Sequence, residues 1–459
     1  MLLKFHNKIC KGYYNFKLYR FPLLKKCIEE FERNQWLSQN EIKHLQWNRL
    51  KIILEHAYRN VPYYQKLFRK HNILPERIND DADFRKIPIL TKRDIRHNLE
   101  DLRARNFCKK DMVKSASGGS TGEPVPFYHD YNFSLCRTAL KLRNLRWTDW
   151  EIGDPRIVLW GSSLDIDLVS GVKGKISNWL DNLTILPAFK MSKANMLRFI
   201  KRIKHVKPKI IAGYTIPLIM LAKYVISSGE DLRSIRMKGI INAAETLYNH
   251  QREFLRNTFG CKVFNKYGGR ELSDIAHECR NGSLHINADW LYVEFVSDEG
   301  KPVRNGEMGN VILTGLYNFG MPFIRYKVDD LAVPSGKECT CGRGLPVMEK
   351  IIGREQDMIL LKNGNYLAGE FFPHLFKDFD IEKFQVVQES LNLLNISIVK
   401  GENFHSKDLE YLKRKIREYT KDIEINFFFV EEIKTSRSGK FRFTISKVPF
   451  NKILGEKID

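Results

Sequence analysis

The sequence predicts an α/β protein: a large N-terminal domain of α/β layers with a barrel-like β portion, followed by a small C-terminal α+β domain. Three observations predict it. From about residue 111 to 350, short apolar runs such as Ile157-Val158-Leu159-Trp160, Ile210-Ile211-Ala212-Gly213 and Gly239-Ile240-Ile241-Asn242 alternate with helix-like stretches. Runs of that length read as strands buried on both faces, and their alternation with helices argues α/β. After Gly353-Arg354 the pattern changes to strands near 358–361, 383–388 and 393–399, a helix near 406–420 and a strand near 424–430, a compact α+β pattern. Finally, 459 residues exceed one ordinary core, so about two or three structural units are expected.

Taken in order, residues 1–110 mix charged and apolar positions at helical spacing. Trp47, Leu50, Ile53, Leu54, Ala57 and Tyr58 form one apolar stripe. Asn60-Val61-Pro62 breaks that helix, because proline cannot continue it. Thr91 in Leu90-Thr91-Lys92-Arg93-Asp94 is placed to cap a new one. Between 284 and 335 strand follows strand (Leu291-Tyr292-Val293-Glu294-Phe295, then Asn310-Val311-Ile312-Leu313), which suggests an antiparallel or barrel-like portion. The expected division is 1–110 as the helical start of the large domain, 111–352 as its core and 353–459 as the C-terminal domain.

Composition narrows the class. With 43% hydrophobic residues the chain is neither disordered nor fibrous. No apolar run approaches the roughly 20 residues that span a bilayer, and the first residues lack the apolar core of a secretory signal. A cytoplasmic protein is the expectation. The formal net charge of +22 is compatible with a solvated basic surface, or with contact at an anionic membrane face through the basic, aromatic first 25 residues. No nucleic-acid-binding signature accompanies the charge, so no specific nucleic-acid partner is expected. Of the eight cysteines, Cys10, Cys27, Cys108, Cys136 and Cys261 are scattered and read as small core residues of a reducing compartment.

The most informative stretch is Ser115-Ala116-Ser117-Gly118-Gly119-Ser120-Thr121-Gly122-Glu123-Pro124. Closely spaced glycines let backbone N–H groups approach an anion, and the hydroxyls add donors, as a triphosphate cradle requires. It is not a Walker loop, since no Gly-Lys-Ser/Thr follows. Four further motifs follow in order: Tyr267-Gly268-Gly269-Arg270-Glu271, Met321-Pro322-Phe323-Ile324-Arg325-Tyr326-Lys327-Val328-Asp329-Asp330, Gly353-Arg354-Glu355-Gln356-Asp357 and Ser438-Gly439-Lys440-Phe441-Arg442.

This set resembles the adenylate-forming superfamily that includes acyl-CoA synthetases. Within it the chain is similar to the phenylacetate–coenzyme A ligase branch, especially its CapK-type members of polysaccharide biosynthesis. His56-Ala57-Tyr58-Arg59-Asn60-Val61-Pro62-Tyr63-Tyr64 and Ile87-Pro88-Ile89-Leu90-Thr91-Lys92 carry that finer likeness. The resemblance implies that Ser117, Gly118, Gly119, Ser120, Thr121 and Gly122 hold the ATP phosphates, with Thr121 in the catalytic set. It implies that Ala243, Ala244 and Glu245 line the adenine pocket, that Tyr267 packs on adenine and that Glu271 helps hold Mg²⁺. Asp330 would bind the ribose hydroxyls, Arg354 would reach ribose or phosphate, and Lys440, on a mobile C-terminal domain, would stabilise charge during adenylation. Two departures stand out: Asp329 replaces the usual glycine before the ribose aspartate, so a different local backbone shape is expected, and Gln356 takes the hinge acid's position, with Asp357 next to it.

The implied reaction is attack of a carboxylate on the α-phosphorus of ATP, loss of pyrophosphate, and transfer of the acyl group to coenzyme A or another acceptor such as a sugar. Positioning and electrostatics suffice for it, without a protein nucleophile. Trp160, Gly213 and Tyr214 fall where the family builds its acyl pocket, although core packing explains them equally. Cys339-Thr340-Cys341 sets two thiols on a glycine-containing turn, and Cys279-Arg280-Asn281-Gly282-Ser283-Leu284-His285 looks like a hairpin. Three thiolates and one imidazole make a closed structural zinc site, for which His285 is preferred over His277. Two alternatives stay open: an acyltransferase of the same fold that uses a pre-activated donor, and a non-catalytic, basic, zinc-containing binding protein.

Overall fold

A computed structural model describes residues 2–117, 125–160, 171–188, 191, 193–243, 245, 247–354, 359–362, 366–367, 371–376, 378–433 and 442–448. The chain divides into two compact units. The larger runs to Val328 and takes Ala332–Ile351; the smaller takes Asp329–Leu331 together with residues 352–433 and 442–448.

The larger unit opens with helices. Ser38 caps Gln39–Asn60 with a capping box to Glu41, which satisfies donors that a helix start leaves open. Leu50, Ile53, Leu54 and Ala57 of the expected stripe are buried, while Trp47 and Tyr58 pack at its margin. The helix stops at Asn60, and Pro62 opens the next one, Pro62–Lys70, at its first turn, where a missing N–H is harmless. Thr91 caps Lys92–His97 reciprocally with Asp94.

Thirteen strands follow among the described residues of this part: β1 (Met112–Ala116), β2 (Pro126–Asp130), β3 (Arg156–Trp160), β4 (Leu183–Pro187), β5 (Ile210–Gly213), β6 (Gly239–Ala243), β7 (Lys262–Gly269), β8 (Ser273–Glu278), β9 (Leu284–Ile286), β10 (Leu291–Val296), β11 (Gly309–Gly315), β12 (Tyr326–Pro334) and β13 (Val347–Arg354). Strands β1 and β2 pair as a hairpin, and the rest form one sheet in the order β10-β11-β12-β13-β9-β8-β7-β6-β5-β3-β4. From β4 to β7 all neighbours are parallel. The strand-after-strand stretch is the continuation of this sheet, antiparallel at β7–β8, β8–β9, β9–β13 and β10–β11.

The parallel strands carry apolar residues on both faces because helices cover both. Ile157, Ile211, Ile240 and Val263 join one cluster with the helices Lys193–Val206, Thr215–Ser227 and Asn249–Phe259. Their neighbours Ile210, Ile241 and Phe264 join another with Leu142 and Trp150, as the two-residue side-chain period of a strand requires. No described helix is long and apolar enough to cross a membrane.

In the smaller unit β14 (Ile359–Leu360) pairs with β15 (Tyr366–Leu367), and a four-stranded sheet runs β18 (Glu424–Phe429), β17 (Leu393–Lys400), β16 (Ile381–Ser390), β19 (Thr444–Ser446). The helix Ser406–Thr420 is the crossover between the parallel strands β17 and β18 and buries Leu412 and Ile416 against Val386, Leu394, Ile396 and Ile398.

The cysteines depart from expectation. Cys27 on the helix Pro22–Asn34 and Cys136 on Tyr131–Arg146 are joined in a disulfide, their Cα atoms 5.5 Å apart. Those two helices pack side by side, a proximity that sequence spacing does not reveal. Cys108 is exposed, whereas Cys10 and Cys261 are buried thiols.

Candidate active site

In an open α/β sheet, ligands gather at the carboxyl ends of the parallel strands, where strand order reverses. Here β3 has β4 on one side and β5 on the other, so the reversal lies between β3 and β5. Trp160 ends β3, Gly213 ends β5 and Ala243 ends β6, while Tyr267 lies near the end of β7. The register aligns them: Leu159 lies opposite Gly213, Gly213 opposite Asn242, and Ala243 opposite Lys266. Trp160 and Tyr214 face each other with ring centroids 5.0 Å apart. A Cβ on Gly213 would sit 3.0 Å from the Leu159 side chain, so this glycine serves close strand packing.

Beyond β6 the chain is held by a buried amide. Asn242 donates from Nδ2 to the Glu245 carbonyl (3.0 Å) and accepts from the Thr215 hydroxyl (2.6 Å). Ala244 lies outside the described residues.

Tyr267 is buried. The turn after it depends on Gly268, because a Cβ there would come within 2.4 Å of the Ser273 carbonyl oxygen. The β7–β8 register slips between Tyr267 and Gly268, and this tight reversal presents Glu271. Its carboxylate accepts from the Tyr326 hydroxyl (3.2 Å), and its carbonyl accepts from His129 Nε2 (2.7 Å). Burial first, then the charge of Arg137, pushes His129 down to about 3, so the ring is neutral. Its Nδ1 faces the Arg137 guanidinium at 3.4 Å, which leaves Nε2 as the N–H donor.

Ser117 continues the β1–β2 hairpin: its N–H donates to the Val125 carbonyl (2.9 Å) and its Oγ accepts from the Val125 N–H (2.8 Å). Gly118, Gly119, Ser120, Thr121 and Gly122 lie outside the described residues. Thus the ladder flanking the glycine-rich stretch is closed by one of its own serines.

Asp330 and Arg354 belong to the smaller unit, on β12 and at the end of β13. Asp329, which precedes Asp330, has φ 65°, the left-handed region in which glycine is at ease. Aspartate tolerates it better than most side chains do. Lys440, Gln356 and Asp357 lie outside the described residues. The flanks of the Lys440 segment are held to β16: Lys383 Nζ donates to the Ile433 carbonyl (2.5 Å), Gln385 Nε2 to Arg442 (3.0 Å) and the Val386 N–H to Phe443 (2.7 Å).

Cys279, His285, Cys339 and Cys341 come together, with ligand atoms all within 4.8 Å of one another. The hairpin is real: Glu278 pairs with Leu284, and Gly282 turns it at φ 84°. The Cys279 and Cys339 sulfurs are 3.6 Å apart, and Cys341 Sγ is 3.3 Å from His285 Nε2. A tetrahedron of Zn–S bonds of about 2.3 Å has edges of about 3.8 Å, so the donor set fits that ion. His285 Nδ1 donates to the Leu345 carbonyl (2.9 Å), which frees Nε2 as a ligand. His277 instead bonds the Glu278 carbonyl and packs edge-on against Trp147.

Sequence reasoning missed His129, Tyr326, Asn242 and Thr215, all of which hold functional candidates in place. Tyr326, Asn242 and Thr215 lie within or beside stretches already singled out; His129 carries no local signal.

A sequence model of the CapK C-terminal domain matches residues 359–447. Protein CapK of Staphylococcus aureus is 25% identical over 89% of this chain and 90% of its own length. Phenylacetate-coenzyme A ligase of Escherichia coli (strain K12) is 26% identical over 75% of this chain and 80% of that protein. The chain is an enzyme whose sequence is similar to CapK-type members of the adenylate-forming superfamily. The crystal structure of 2-hydroxyisobutyryl-CoA ligase in its postadenylation state shares the fold with a TM-score of 0.75, at 17% identity, over 91% of this chain and 92% of that one. The sheet edge from Trp160 to Tyr267 and the small C-terminal unit therefore belong to a fold shared with an acyl-CoA ligase.

Proposed function

We propose that this enzyme uses ATP to convert a carboxylic acid into an acyl-adenylate with release of pyrophosphate, then passes the acyl group to coenzyme A or another acceptor. The observation that carries the reading is the convergence of Trp160, Gly213, Ala243 and Tyr267 on one carboxyl edge of the parallel strands, at the reversal of strand order, with Glu271 presented by the next turn. The phenylacetate-coenzyme A ligases among its relatives support the acid–thiol chemistry.

In this reading the acid lies against Trp160 and Tyr214, the adenine against Tyr267 and Ala243–Glu245, and the ribose hydroxyls on Asp330. Ser117 through Gly122 hold the phosphates, with Arg354 and Lys440 adding positive charge. Mg²⁺ would be held by Glu271 and would neutralise charge on the phosphates. Tyr326 holds that carboxylate and His129 holds the backbone carbonyl of the same residue, so little reorganisation is needed as charge develops. Cys279, His285, Cys339 and Cys341 would hold a structural zinc ion, since all four positions of a tetrahedron are filled by protein. A role in surface polysaccharide synthesis rests on the likeness to CapK. Cytoplasmic action fits the supply of ATP.

The test is exchange of labelled pyrophosphate into ATP in the presence of a panel of carboxylic acids. Exchange that requires one acid, and that falls roughly a hundredfold or more in Lys440→Ala, supports the proposal. An enzyme that shows no exchange with any acid yet consumes a preformed acyl thioester would be a transferase instead.

A further inference from the structure

The helices Leu2–Arg20 and Val172–Leu180 lie side by side. His6 stacks on Trp179 with ring centroids 4.6 Å apart, and its Nε2 hydrogen-bonds the Trp179 carbonyl at 2.9 Å. Asn182 donates to Asn7 (2.9 Å), and Lys17 pairs with Asp181 at 2.8 Å. These bonds occupy the faces the two segments turn toward each other.

Their outer faces are apolar. Phe5, Phe16 and Tyr19 are 63%, 59% and 86% exposed. At 100° per residue they fall in one sector of the helix, with Lys8 and Gly12 between them. On the neighbouring helix Val172 and Ile176, four residues apart, are 75% and 54% exposed. A surface that concentrates large apolar side chains in this way marks an interaction site.

Charge identifies the partner. Residues 1–28 contain seven Lys or Arg and no Asp or Glu, and residues 171–180 add Lys173 and Lys175 without an acid. Lys8, Lys11, Arg20, Lys173 and Lys175 are all exposed. Such a face repels a second copy of itself. Aromatic rings set among lysines are instead the pattern of a helix lying in the headgroup region of an anionic bilayer. We propose that the paired outer faces of these two helices seat the protein on an anionic membrane surface, with Phe5, Phe16, Tyr19, Val172 and Ile176 at headgroup depth and the lysines on lipid phosphates. The seat is independent of the adenylation reading.

Co-sedimentation with vesicles of phosphatidylcholine alone, and with phosphatidylglycerol added, tests it. Binding is expected to the anionic vesicles only and to fall as salt is raised. Lys8→Gln and Lys173→Gln should each weaken it roughly fivefold, and Phe16→Ser with Ile176→Ser should weaken it further at any salt. These exposed positions lie outside the candidate active site, so unchanged circular dichroism and pyrophosphate exchange would certify the variants as folded. Absence of binding, equal binding to both vesicle types, or a dimer dissolved by Phe16→Ser in a protein that ignores vesicles would overturn the proposal.

Discussion

At the scale of single residues, local chemistry was readable and long-range support was not. Thr91 was identifiable as a cap because its partner Asp94 is three residues away. His129 carries no such signal: its value comes from meeting Glu271, 142 residues later. Asp329 stands in the glycine-favoured region at φ 65°, which its sequence neighbours do not announce. Asp274 supports a pH prediction. Burial opposes its charge, but the Lys266 ammonium at 2.8 Å, aided by Lys141, outweighs burial and holds the carboxyl at about 2, below its ordinary 3.8. Because the folded value is depressed, the stabilisation is complete above 3.8 and is lost as pH falls toward 2. Linkage over that interval amounts to about 2 kcal/mol. Denaturant unfolding of the wild type and Asp274→Asn should therefore show a stability difference that shrinks by that amount across the window. A difference that stays flat would mean that Lys266 does not hold the carboxylate.

At the scale of elements, strands and helices were legible wherever burial is two-sided or caps are local. Ile157–Trp160, Ile210–Gly213 and the crossover helix Ser406–Thr420 stand where the apolar pattern puts them. Pairing was less legible, since only the fold tells that β9 finds β13 or that Cys27 meets Cys136. The metal candidate lies between these cases: the hairpin was readable, its meeting with Cys339 and Cys341 a matter of residue chemistry. The cluster packs with Ile42, Trp147 and Leu345, and Gln35, at the end of Pro22–Asn34, accepts from both Trp147 and Arg343. A metal there would tie the β8–β9 hairpin to the Cys339–Cys341 turn, which packs beside the first helices. Elemental analysis of protein purified under reducing conditions should give about one zinc per chain. Cys279→Ser with Cys341→Ser should lose the metal and lower the thermal midpoint. Metal-free wild type, or a double variant that keeps its zinc and midpoint, would exclude a structural zinc site.

At the scale of the whole molecule, the change of pattern near residue 352 has an energetic counterpart. The smaller unit owns a core of Phe372, Phe384, Val386, Leu394, Ile396, Ile398, Leu412 and Ile416, all within that part of the chain. Gln388 holds β14 to the sheet from inside: its Oε1 accepts from the Leu360 N–H (2.9 Å) and the Ser446 hydroxyl (2.8 Å), and its Nε2 donates to the Leu360 carbonyl (2.7 Å). A domain of this size buries enough apolar surface to fold without help. The fragment 352–459 should therefore unfold in one cooperative transition, with the circular dichroism of an α+β protein. Ile396 is fully buried between strand and helix, so Ile396→Ala should lower the fragment's stability by about 2–5 kcal/mol. Gln388→Leu would leave the Leu360 backbone groups unpaired and should lower it by about 1–3 kcal/mol. If the isolated fragment shows no cooperative transition while the intact chain does, the smaller unit depends on the larger one for its fold, and the sharp change in sequence pattern marks a change of architecture rather than a folding boundary.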